Sequence, residues 1–347
     1  MFRRSESRKR GSFLPFAIFR LLLSITMFLI LTVGSYEAFK YFSGTDPLRI
    51  DPKSEIISLI SSSKLTDVLA VLGVKLPAVT QSSNKAEAEN EVIEEEGYKG
   101  ILIFSFAVVA DSHSDNSNLE KALRLAREKG AKFVIGLGDF SQVGTKEELG
   151  DAHRVFSSSG LPFYVTAGDH DLWDARDKGQ AVVANFNSIF GPAYGSFVDS
   201  NIRFILVDNA DNYKGVDSLQ MEWLRETLAK DSSKAIFVFL HEPLIHPTSD
   251  RHMGSVKKSG STDEPGEGNR QILAQAQELV KMFKVAGVKE VFAGDIHAFT
   301  RYKDEVSGLK MTTSGALTAE RNTQNPRFLM IDVFENGGYN VLDTEIR

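Results

Sequence analysis

Phe106-Ala107-Val108-Val109-Ala110-Asp111-Ser112-His113, residues 106–113, is an apolar run that ends abruptly in a carboxylate, a hydroxyl and an imidazole. A run this short, rich in β-branched residues, reads as a strand buried on both faces, the pattern of a parallel sheet. The same punctuation recurs four times. Residues 133–137 precede Gly138-Asp139, and residues 163–166 precede Gly168-Asp169-His170-Asp171. Residues 235–240 precede His241-Glu242-Pro243, and residues 291–293 precede Gly294-Asp295-Ile296-His297. In an open α/β sheet, ligands bind outside the carboxyl ends of the strands. Five strand ends therefore deliver Asp and His side chains to one rim, which is how a two-metal hydrolytic site is assembled.

Taken in order, the five blocks resemble the calcineurin-like metallophosphoesterases, a family that includes the purple acid phosphatases and many bacterial phosphodiesterases. The family pattern runs Asp-x-His, Gly-Asp, Gly-Asn-His-Asp/Glu, a His, then Gly-His-x-His, and the resemblance covers roughly residues 104–320. It implies an α/β fold, a four-layer α/β/β/α sandwich of two mixed sheets flanked by helices. It also implies two metal ions. Asp111, His113 and His297 would bind the first, Asp139 would bridge both, and Asp169, His241 and Asp295 would complete the second. A shared carboxylate suits two dications ~3.5–4 Å apart, because they repel and need negative charge between them. A hydroxide between the metals would attack phosphorus. His170 would act as the general acid toward the leaving group, with Asp171 orienting it from behind.

Two positions depart from the family pattern. Asp169 stands where Asn is usual, and Asp295 where the first His of the last block is usual. Both fall on the second metal and add carboxylate oxygen. The expectation is a harder site that takes manganese, iron or magnesium in preference to zinc. The purple-acid group also carries a Tyr three residues after the second-block Asp, and position 142 is Gln. The charge-transfer colour of that group is therefore not expected.

Composition narrows the chemistry further. The 347 residues include no cysteine, which removes thiolate metal sites, a cysteine nucleophile and disulfides. The net charge of −6 conceals a strong asymmetry. Residues 1–20 hold six Lys/Arg and one Glu, which leaves residues 21–347 at −11. An acidic domain is a poor partner for duplex nucleic acid, whose binding relies on neutralising phosphates. A small phosphate ester is the expected substrate. A monoester is the first choice, since the stretch Phe292 to Tyr302 followed by Met311-Thr312-Thr313-Ser314-Gly315 resembles the corresponding segment of the acid phosphatases, and a diester is the alternative. A binding or scaffold protein that has lost its metals is the rival from another class. His170 argues against it, because a scaffold has no use for that residue.

The N-terminal third reads differently. Residues 1–12 form a basic tail, and residues 13–34 an apolar stretch interrupted once, by Arg20. That is just adequate to span a bilayer, with the basic cluster on the cytoplasmic side. A signal-anchor and a cleaved signal peptide both fit, and both put the catalytic part outside the cytoplasm. Residues 35–97 read as short juxtamembrane helices and an acidic linker, and residues 98–347 as the metallophosphoesterase domain.

Within that domain, apolar spacing at Leu119, Ala122, Leu123 and Ala126 before Gly130 predicts an amphipathic helix. Further helices are expected over 218–229 and 270–286. Strands are expected over 203–208, 311–313, 328–333 and 339–342, the last two joined by an Asn-Gly-Gly turn. The Gly/Ser-rich stretch 247–269 reads as a loop over the mouth of the site. His246, Arg301 and Arg321 lie close enough to the blocks to be candidate substrate contacts.

Overall fold

A computed structural model describes residues 100–255 and 267–347. The stretches expected as a basic tail (1–12), an anchor (13–34) and a linker (35–97), and residues 256–266 of the expected loop over the site mouth, lie outside those residues. Among the described residues no helix is long and apolar enough to cross a membrane.

Eleven strands among the described residues form two mixed sheets. The first contains β1 (Leu102–Val109), β2 (Ala131–Gly136), β3 (Phe163–Val165), β10 (Arg327–Phe334) and β11 (Tyr339–Glu345), in the order β11-β10-β1-β2-β3. β1, β2 and β3 run parallel, and β10 returns antiparallel to β1. The second contains β4 (Gly195–Asp199), β5 (Ile202–Leu206), β6 (Ala235–Phe239), β7 (Glu290–Ala293), β8 (Phe299–Lys303) and β9 (Lys310–Ser314), in the order β4-β5-β6-β7-β9-β8. Its central four strands are parallel, with antiparallel β4 and β8 at the edges.

The alternation of side chains along β1 shows why the layers stack as they do. Phe106, Val108 and Ala110 face a core shared with Phe204, Phe237, Phe239 and Phe292 of the other sheet. Ala107 and Val109 face the opposite way, onto α1 (Asn116–Glu128) and α2 (Lys146–Ser158), through Leu119, Leu123, Leu149 and Phe156. The outer face of the second sheet is covered by α5 (Ser218–Ala229) and α6 (Glu267–Val285), with Leu224, Leu279 and Phe283 in the interface. The result is helix, sheet, sheet, helix. Phenylalanines fill the space between the sheets, with Phe106 of the first edge-on to Phe204 at 5.3 Å and to Phe239 at 6.0 Å of the second, a favourable geometry for buried aromatic rings.

Several short elements were not foreseen. α2 has a capping box in which Thr145 accepts from Glu148 N–H and the Glu148 side chain accepts from Thr145 N–H. The Thr145-x-x-Glu148 spacing was a usable signal for it. α3 (Trp173–Asp177) and α4 (Ala184–Phe190) follow the third block after a single 3-10 turn at His170–Leu172. They carry too few residues for periodicity to reveal.

Candidate metal centre

Five of the seven candidate ligands leave their strands through turns that ordinary residues avoid. Asp111, His113, Asp139, Asp295 and His297 have φ values of 54°, 43°, 54°, 64° and 60°, in the left-handed region that costs a non-glycine residue energy. Bonds between neighbouring strand ends hold them there. Asp111 N–H donates to Gly138 O at 3.0 Å, His113 N–H to Asp139 O at 2.9 Å, and Gly294 N–H to His241 O at 2.9 Å. The second and third blocks approach so closely that only glycine fits. A Cβ on Gly168 would strike the Asp139 carboxylate and amide, and one on Gly138 would strike the Gly168 backbone.

These turns gather two groups of side chains. Asp111, His113, Asp139 and His297 each offer an atom within 4.8 Å of the others, and so do Asp139, Asp169 and His241. Asp139 belongs to both. Its Oδ2 lies 3.5 Å from His113 Nε2, and its Oδ1 lies 3.6 Å from His241 Nε2. His113 and His297 point their Nε2 atoms at each other, 3.0 Å apart. His241 spends its Nδ1–H on the Leu137 carbonyl at 2.8 Å, so Nε2 is the nitrogen turned to the cluster. Asn212 donates to Asp169 Oδ2 at 2.9 Å and leaves Oδ1 facing His241 at 3.5 Å.

The chemistry of this set demands positive charge. Asp111 Oδ2, Asp139 Oδ2, Asp169 Oδ1 and His241 Nε2 are buried with no hydrogen-bond partner, an expensive state for polar atoms unless a cation satisfies them. Burial pushes the Asp111 and Asp139 carboxyls up. Burial also presses the His241 imidazole down, but Asp139, Asp169 and Asp111 outweigh it and drive it well up. A cation among these acids takes over that role and leaves the imidazole neutral. Burial, followed by the neighbouring imidazoles of His170, His297 and His241, lowers His113 to about 3. His113 is therefore neutral and ligand-competent at any ordinary pH.

The remaining candidates fall into place unevenly. His170 lies over His113 with ring centroids 4.6 Å apart and stacks on Trp173 at 3.8 Å. Its Nδ1 bonds the Gln142 carbonyl at 2.7 Å. Asp171 does not touch it. The Asp171 carboxylate accepts from Ser141 N–H, Ser141 Oγ and Gly168 N–H at 3.0, 2.7 and 3.0 Å, tying the second block to the third. Asp295 donates its backbone N–H to Asp111 Oδ1 at 3.2 Å, but its carboxylate turns away and pairs with Arg251. It belongs to neither group. The sequence expectation placed Asp295 on the second metal, and nothing in an Asp at that spacing announces an arginine partner 44 residues away.

Arg301 also departs from expectation. It forms a two-pronged ion pair with buried Glu290, at 3.0 and 2.8 Å, at the first residue of β7. That is the opposite end of the strand from the ligand turns. His246 bonds Thr300 Oγ1 of β8 through Nε2 at 3.0 Å and accepts Ser249 N–H at Nδ1, so one nitrogen ties its loop to the sheet and the other holds the loop itself. Arg321 is exposed with φ 55°, and its charge is among those that lower His113. It alone of the three substrate candidates is placed to act at the cluster.

The model of the calcineurin-like phosphoesterase family matches residues 104–299, and the chain belongs to that family. With it comes the class of protein, a metal-dependent phosphoester hydrolase. Solved structures similar to this chain include a dimetal phosphatase from Danio rerio, at 14% identity over 71% of this chain and 100% of that one, with a TM-score of 0.49. Another is the purple acid phosphatase PPD1 from yellow lupin (Lupinus luteus) seeds, at 13% identity over 70% of this chain and 51% of that one, with a TM-score of 0.48. No curated protein sequence matches the chain.

Proposed function

We propose that the chain hydrolyses a small phosphate ester, a monoester in the first instance, at a centre that holds two metal ions. The observation that carries this reading is the double use of Asp139, one oxygen turned to an imidazole nitrogen of each ligand group. Asp111, His113 and His297 would hold one ion, Asp169 and His241 the other, with Asp139 between. Bound there, the two ions acidify a water and offset charge on the phosphoryl oxygens. His170 supplies the proton. With Nδ1–H committed to Gln142, its Nε2 is the nitrogen left for the reacting group, and once protonated it donates to the departing ester oxygen.

The second group carries two carboxylates and one imidazole, an oxygen-rich set that favours manganese, iron or magnesium over zinc. The test is a reconstitution series on the purified full-length protein. p-Nitrophenyl phosphate and bis-p-nitrophenyl phosphate would serve as the monoester and diester. Faster turnover of the monoester with manganese or iron supports the reading. Preference for the diester, or highest activity with zinc, counts against the corresponding part.

The proposal extends to location. The basic cluster ahead of the apolar stretch 13–34 supports an anchored enzyme with its catalytic domain outside the cytoplasm. Digestion of that domain by protease added to intact cells is the expected result, and full protection contradicts it.

A further inference from the structure

The Arg251–Asp295 pair occupies the position where the sequence led us to expect a metal ligand. Asp295 follows β7 in a left-handed turn, beside the cluster, yet its carboxylate is spent on Arg251. Arg251 itself is tethered from both sides. Its N–H donates to Ser249 Oγ at 3.0 Å, and His246 fixes the turn before it by accepting Ser249 N–H at 2.9 Å. Two residues later Met253 is fully buried and donates its N–H to the Pro243 carbonyl at 2.8 Å. The backbone that presents Arg251 is therefore held close to the His241 block, while its side chain remains 52% exposed.

The electrostatics place that guanidinium within the field of the whole centre. Burial works against its charge, but the carboxylates of Asp295, Asp111 and Asp169 outweigh it. In turn, Arg251 is among the groups that hold Asp169 below the ordinary carboxylate range against its burial. A guanidinium offers five donors in a planar fork. Asp295 engages one nitrogen, and the rest of the half-exposed guanidinium is open to solvent. Phosphate oxygens are the natural complement of a permanently charged, forked donor beside a metal centre.

We propose that Arg251 is a substrate-binding residue that grips the non-bridging oxygens of a terminal phosphate, and that Asp295 is its positioning residue rather than a metal ligand. This rests on the phosphoesterase reading and gives it a specificity. A phosphate monoester carries two negative charges on three unsubstituted oxygens, whereas a diester carries one charge on two. A third cation beside two metal ions rewards the extra charge and the extra oxygen, so Arg251 favours the monoester.

The test uses the purified, metal-loaded full-length protein and three variants, R251A, R251K and D295N. Metal content is read by elemental analysis, affinity for inorganic phosphate by calorimetry, and kcat/KM on the two p-nitrophenyl esters. The expected results for R251A are two metals retained, phosphate bound tenfold or more weakly, and monoester kcat/KM lowered tenfold or more. Its diester kcat/KM should fall by a clearly smaller factor than its monoester kcat/KM, and an equal fall on both esters overturns the claimed preference for the monoester. R251K, with the charge but not the fork, falls between. D295N should keep both metals and lose part of the phosphate affinity. Loss of one metal equivalent in D295N overturns the assignment, because it makes Asp295 a ligand. Phosphate affinity in R251A equal to that of the parent overturns it as well. Hydrolysis of neither ester by the metal-loaded parent overturns the phosphoesterase reading itself, an outcome distinct from the other two.

Discussion

His170 Nδ1 lies 2.7 Å from the carbonyl oxygen of Gln142, while the Gln142 side chain donates to the His113 carbonyl at 2.8 Å. One residue thus sets both the tautomer of His170, the proposed proton donor, and the backbone of a metal-ligand candidate. Gln142 occupies the position where purple acid phosphatases carry tyrosine, and here its side chain bonds the His113 carbonyl. Replacing His170 with Asn removes the proposed proton donor and leaves the ligand groups intact. The expected result is a fall in kcat of about 10²- to 10⁴-fold with unchanged metal content, read by steady-state kinetics alongside elemental analysis. A variant that loses metal would instead make His170 part of the ion-binding set.

Asp171 acts on the fold and not on the imidazole beside it in sequence. Its buried carboxylate satisfies Ser141 N–H, Ser141 Oγ and Gly168 N–H. Asp171→Ala leaves both buried backbone donors without partners, and hydrogen bonds to a charged group contribute about 1.5–3 kcal/mol each. A loss of about 3 kcal/mol is expected, or roughly 6–12 °C in Tm for a domain of this size. Thermal unfolding of the metal-free protein measures it without the contribution of bound ions. A drop of less than 2 °C would show that the two blocks do not depend on this stitch.

Asp208, at the end of β5 beside Asp211 and Gln220, offers a test by pH. Burial, reinforced by the charges of Asp211 and Asp217, raises its carboxyl from 3.8 to about 6 against the opposing Ala210 N–H. The native protein therefore binds this proton more tightly than the unfolded chain does. The stabilisation is complete below pH 4 and is lost as pH climbs from about 4 to 6. Asp208 is only half-buried and is partly screened by solvent, so the size is on the order of 1–2 kcal/mol. Asp208→Asn should flatten that part of the stability profile of the metal-free protein, with its advantage over the parent growing from pH 4 to pH 7. An advantage that is constant with pH contradicts the shift.

The architecture was legible because it repeats one pattern. Every strand-then-acid block in the sequence became a strand with its acid or imidazole at the carboxyl end, and four of the five runs are buried on both faces, while β3, at the edge of its sheet, leaves Tyr164 exposed. The helices at 218–229 and 267–285 showed the same way, through spacing that needs three turns to emerge. α3 and α4 are too short to carry a period, and β4 and β8 are half-exposed edge strands with no apolar run to mark them. The site was legible as a set of residue types, which is why Asp111, His113, Asp139, Asp169, His170, His241 and His297 are found together. It was not legible as directions. Asp171, Asp295 and Arg301 have side chains that turn to Ser141, Arg251 and Glu290. Those choices are made by packing between segments far apart in sequence. Arg251 was missed altogether because it sits in a loop with no motif around it.

The central claim is that Asp139 joins two ion sites, and the most direct measurement is metal content per chain in the full-length protein and in Asp139→Asn. The account predicts close to two equivalents in the parent, of manganese, iron or both, and a loss of most of both ions in the variant. The parent binding no metal after reconstitution, or the variant retaining two equivalents, would contradict it.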